Sequence, residues 1–137
     1  MKVKVFLIGI IFMSVMVFGS CKVAREDNVE KIKDLEYTVL ESNELPEIVA
    51  TKIEAEKAKP FKFSYTDGKE TYIAIGFGEQ PTGGFSIQVT DLYQAQEYIV
   101  INATLIGPSE KDLAVTVITY PYIVIKTENL DLPVCFK

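Results

Sequence analysis

Hydrophobic and polar positions along the chain follow several different rhythms. From Val5 to Phe18 the residues are apolar apart from Ser14, with Lys2 and Lys4 ahead of them and Gly19-Ser20-Cys21 behind. From Lys22 to Glu36 the character reverses, with nine of 15 residues charged. Tyr37-Thr38-Val39-Leu40 then reads as a short strand. Asn43 as N-cap, Pro46 and Glu47 in a first turn, and Lys57 and Lys59 near the end predict a helix that Pro60 stops. Leu45, Ile48, Val49 and Ile53 fall near one face of it, enough to dock on a sheet.

After Pro60 the period becomes two. Phe61, Phe63 and Tyr65 alternate with Lys62, Ser64 and Thr66, and Asp67-Gly68 follows as a type I′ hairpin signal. Ile73, Ile75 and Phe77 continue on the partner strand, with Tyr72, Ala74 and Gly76 on its other face. Phe85, Ile87 and Val89 alternate with Ser86, Gln88 and Thr90. Tyr98–Ile106, Leu113–Ile125 and Val134–Phe136 complete the strands, with Gly107-Pro108-Ser109 as a turn and Pro121 bending or bulging the long strand. The expected architecture is mainly β (α+β): an antiparallel sheet of five to seven strands, forming a small sandwich or open barrel, with one N-terminal helix packed on it.

The first stretch is an address. A basic start, a 14-residue apolar run and small residues before a cut site make a secretory signal, residues 1–20. As a helix the run would span about 21 Å against about 30 Å of bilayer hydrocarbon, too short for a permanent span. Phe18-Gly19-Ser20-Cys21 resembles the bacterial lipobox, in which the cysteine is acylated and becomes the new N-terminus; Phe18 stands where Leu is usual. The reading is a membrane-anchored lipoprotein of the bacterial envelope, lipidated on Cys21. Its domain lies outside the cytoplasm, with residues 21–36 as a charged tether and 37–137 as one β-rich domain.

Composition narrows what that domain can do. The leader holds two of the 14 basic residues, so the net charge of −5 becomes −7 in the remaining 117 residues. That length fits one domain, and the acidic balance argues against a nucleic-acid surface. The chain has no His, which excludes Ser-His-Asp and Cys-His catalysis and HExxH metal sites. With Cys21 lipidated, Cys135 is left as a small hydrophobe in a strand. Glu54 and Glu56 face different ways on a helix, and Asp91, Glu97, Glu110 and Asp112 are scattered near strand ends as a solvated rim. No cofactor and no metal site is expected.

One segment stands out. Four of the eight glycines fall in Gly76-Phe77-Gly78-Glu79-Gln80-Pro81-Thr82-Gly83-Gly84-Phe85. Pro81 presets a turn, and Gly83 or Gly84 supplies positive φ. From spacing alone this is a structural hairpin turn; its bare backbone also suits close approach by a partner. It has no GxGxxG or GKS/GKT pattern, so it is not a nucleotide loop.

This stretch from Gly78 to Ile87, the later Gly107-Pro108, and Thr119-Tyr120-Pro121-Tyr122-Ile123-Val124-Ile125 together resemble the C-terminal domain of the protease complex subunit PrcB family, over roughly residues 61–126. Phe85 replaces that family's usual Tyr. The resemblance implies a non-catalytic domain, in a family rich in bacterial lipoproteins, that assists or stabilises a surface protease complex. Candidate protein-binding residues are Gln80, Pro81, Thr82, Gly83, Gly84 and Phe85, with Tyr120, Pro121 and Tyr122 as an aromatic patch. The expected partners are the membrane, through lipid on Cys21, and a protein such as a protease or protease-complex subunit. Pro81–Phe85 is also similar to the first loop motif of chagasin-like inhibitors of papain-type proteases, but the Trp-containing element of that family has no counterpart here. The rival from another class is a Ser-Lys hydrolase using Ser64 with Lys62 or Ser109 with Lys111; Ser64 and Lys62 would sit on the solvent face of a strand without an implied pocket.

Overall fold

A computed structural model describes residues 30–111 and 115–137. The leader, Cys21, the tether up to residue 29, and Asp112 lie outside the described residues. The strands are β1 (Lys33–Asp34), β2 (Thr38–Val39), β3 (Pro60–Thr66), β4 (Glu70–Phe77), β5 (Ser86–Gln94), β6 (Ile99–Ile106), β7 (Tyr122–Glu128) and β8 (Val134–Phe136); the helix α1 is Glu47–Glu56. Two four-stranded sheets form, in the orders β1-β5-β6-β8 and β2-β7-β4-β3. All pairings are antiparallel except β6 with β8. The expected small sandwich is therefore what forms, and the open barrel is not.

Alternation in the sequence explains the layers. Ile73, Ile75 and Ile125 from one sheet meet Leu92, Ile99 and Ile101 from the other in the central core. Burying each such side chain contributes about 1.5–3 kcal/mol. The reverse face of β4 and β7, with Tyr72, Ala74 and Val124, packs with Phe61 against Val49 and Ile53 of α1. On the far side Ala95, Val100 and fully buried Cys135 form a third, smaller cluster. In β5 a bulge between Val89 and Asp91 shifts the phase, so the core positions run from Val89 to Leu92.

Several expectations are corrected. Asn43 does not cap α1. It lies in a 3-10 turn (Ser42–Glu44), and the helix starts after Pro46, whose carbonyl accepts from Ala50 N–H at 3.0 Å. Leu45 precedes a proline, which pushes it to extended backbone (ψ 139°) and breaks the run. Ile48 does not share the docking face and is exposed. In the β3–β4 hairpin only Gly68 has positive φ, so the turn is not type I′. Instead the Asp67 carboxylate accepts from Lys69 and Glu70 N–H, both at 2.9 Å. The long strand expected at 113–125 begins only after Pro121 and runs on to Glu128.

The charged stretch also does not remain free up to Glu36. Lys33 and Asp34 pair with Gln94 and Tyr93 of β5, Leu35 N–H donates to the Leu92 carbonyl at 3.1 Å, and the Leu35 side chain enters the central core. This two-residue strand is the eighth, beyond the five to seven expected.

Candidate functional site

The Pro81–Gly84 turn is not a hairpin. Strand β4 belongs to one sheet and β5 to the other, so residues 78–85 cross between the layers. Residues 107–111, after β6, and 115–121, before β7, lie at the same end. Segments 78–85 and 115–121 are bonded to each other. Gln80 and Thr119 form an isolated antiparallel bridge, with N–H···O distances of 2.8 and 3.0 Å. Gly83 N–H donates to the Val115 carbonyl at 3.0 Å, and Thr119 Oγ1 donates to the Thr82 carbonyl at 2.8 Å.

Glycine is required here at Gly84 and Gly78. Gly84 has φ +83°, and a Cβ there would stand 3.0 Å from Pro108 Cβ. Gly78 has φ +75° and abuts Pro60 at the start of β3. Gly83 has ordinary φ and open space around it, so the positive-φ role belongs to its neighbour. The Phe85 ring is half-buried near Gly107. The three sequence motifs, Pro81–Phe85, Gly107-Pro108 and Thr119–Tyr122, thus converge on one end of the sandwich.

That end carries exposed apolar surface. Val115 is 66% exposed, Val117 and Ile118 each 55%, and Tyr120 36%, in one stretch beside the Pro81–Gly84 turn. Large apolar groups left in water along one stretch mark an interaction surface more often than a scattered few do. Tyr120 lies beneath Lys57, whose Nζ is 5.3 Å from the ring centroid and 3.0 Å from Glu54 Oε2. The hydrogen bond and charge of Glu54 raise Lys57 above the ordinary lysine value. Tyr122 and Pro121 do not complete an exposed aromatic patch: Tyr122 is half-buried against the helix-side cluster. Gln80 is partly structural, its Nε2 donating to the Phe77 carbonyl at 3.2 Å.

Val115, Val117 and Ile118 fall within the strand expected over Leu113–Ile125 and lie outside the one that forms. Their signal was the proline at 121, which delays the strand and leaves the preceding apolar residues outside it. Thr119 belongs to the Thr119–Ile125 motif, but its bond to Thr82 had no local signal, because the two lie 37 positions apart. Ser64, Lys62, Ser109 and Lys111 are all exposed. Among the described residues no cluster of metal-ligating side chains occurs and no helix is long and apolar enough to cross a membrane.

Residues 71–128, which run from β4 through β7, match the family model of the PrcB C-terminal domain. The resemblance read from the motifs holds over that stretch. The chain is also similar to an uncharacterized protein of Methanocaldococcus jannaschii, 35% identical over 77 residues. Those residues are 56% of this chain and 46% of that protein, so the match spans about half the length of this curated relative. No solved structure matches the chain.

Proposed function

With a PrcB C-terminal domain at residues 71–128 as the premise, we propose that this protein is a non-catalytic envelope lipoprotein, held to the membrane by lipid on Cys21, whose sandwich binds a protein partner and helps to stabilise or assemble a surface protease complex. The observation that supports this best is the loop end: the family's motif stretches meet there, with Thr119 bonded to Thr82 across 37 positions of sequence, beside Val115, Val117, Ile118 and Tyr120 exposed to solvent. Two segments bonded to each other beside an exposed apolar stretch suit recognition of a protein surface.

The reading is tested by capture from solubilised membranes with the tethered domain, comparing wild type with Thr82→Ala and Val117→Asp. Both positions are outside the clusters of the core, so melting temperatures should stay near wild type. The expected result is a captured protease or protease-complex subunit that both variants lose. Equal capture by well-folded variants, or no such partner, overturns it. Inhibition of papain-like enzymes by the domain would favour the chagasin-like alternative.

A further inference from the structure

Strand β3 is the long open edge of the molecule. Among the described residues the other outer strands, β1, β2 and β8, have two, two and three residues, whereas β3 has seven and pairs only with β4. The phase of its ladder follows from the hairpin. Asp67 N–H donates to the Glu70 carbonyl at 3.2 Å, so 67 and 70 begin the bonded pairs. Alternation along an antiparallel ladder then gives inward bonds to Tyr65–Tyr72, Phe63–Ala74 and Phe61–Gly76. The N–H and C=O groups of Lys62, Ser64 and Thr66 point away from β4, to solvent.

Two further observations describe what this edge would take. Residues 57–66 hold three lysines and no carboxylate in a chain of net charge −5. Lys57 is paired with Glu54, while Lys59 and Lys62 have no ion-pair partner among the described residues. Beside β3 a slot of about 260 Å³ is lined by Lys62, Ile75 and Phe77 from one sheet and Ile101 and Phe136 from the other.

We propose that an extended, acidic segment of a partner protein adds to β3 as a fifth strand of that sheet, with apolar side chains over the slot and carboxylates beside Lys59 and Lys62. Main-chain bonds supply affinity in this mode, and the pocket and charge supply selection. A second copy of this chain is the poorer occupant, because β3 against β3 brings two lysine-bearing edges together. The inference does not depend on the loop-end reading.

The probe is an end-capped peptide of about eight residues built from valine and aspartate, with a counterpart carrying lysine for each aspartate. Adding the acidic peptide should slow amide exchange at Lys62, Ser64 and Thr66, and the basic counterpart should bind about tenfold more weakly. Ser64→Pro should abolish binding while keeping the β3–β4 ladder, since the Ser64 N–H is not used there. Should Ser64→Pro fail to fold, Lys62→Glu decides, by reversing the preference between the peptides. Equal binding of both peptides, protection confined to other strands, or binding retained by folded Ser64→Pro overturns the proposal. Concentration-dependent protection without peptide would assign the edge to a second copy and overturn it too. Thr82→Ala and Val117→Asp should leave this binding intact, which separates it from the loop-end reading.

Discussion

The Phe61 ring occupies the space in which a Cβ on Gly76 would have to stand. The two residues face each other across the β3–β4 ladder, on the side that packs under α1. Gly76→Ala should therefore lower stability by about 1–3 kcal/mol through overpacking. Adding Phe61→Leu should recover part of that loss, which denaturant unfolding of the two single variants and the double variant will measure.

Gly83 and Gly84 should behave differently although they are adjacent. Gly84→Ala forces a side chain into φ +83° and against Pro108, at a cost of about 1–2 kcal/mol. Gly83→Ala meets only the Val115 carbonyl at 3.9 Å and should stay within about 0.5 kcal/mol of wild type. Melting temperatures of the pair check this.

Leu35 makes the end of the charged stretch part of the fold. Leu35→Ala should cost about 2–4 kcal/mol, as expected for a buried leucine. A chain starting at Tyr37 should be destabilised relative to one starting at Glu30 by a similar amount. Near-identical unfolding of the two truncations would return residues 33–36 to a passive tether.

Asp67 gives the hairpin an acid-sensitive side. The Glu70 and Lys69 N–H groups that its carboxylate accepts hold its pKa below the usual carboxylate value. Its contribution is present above the unfolded value, near pH 4, and is lost as the pH falls through the lower folded value. Asp67→Asn should remove that part of the acid-side loss in thermal melts. Tyr72 acts at the other end: burial, then the charges of Asp67 and Glu70, raise its pKa. Its contribution is present below about pH 10 and lost as the pH rises through the folded value, so Tyr72→Phe should flatten the alkaline limb.

Cys21 carries the anchoring prediction. Cys21→Ser should abolish incorporation of labelled fatty acid and move the protein out of the lipid fraction. If wild type and variant fractionate alike and neither takes up label, the lipoprotein reading fails.

Much of the architecture was already legible in the residues. Period-two alternation in Phe61–Thr66, Tyr72–Phe77 and Phe85–Thr90 decided which side chains point to the core, because pleating puts successive side chains on opposite faces. The helix stops before Pro60, ending at Glu56, and the Pro81–Phe85, Gly107-Pro108 and Thr119–Ile125 motifs resemble the PrcB C-terminal domain whose family model matches residues 71–128. Tertiary structure alone decided which sheet each strand joins. Alternation is the same for a strand that turns back beside its neighbour and one that crosses to the opposite layer, so the Pro81–Gly84 segment reads as a hairpin until β5 is seen in the other sheet. Leu35 entered the core, and Thr119 reached Thr82, through partners 57 and 37 positions away. Burial and hydrogen bonding at that separation depend on where the sheets stack, which no local pattern encodes.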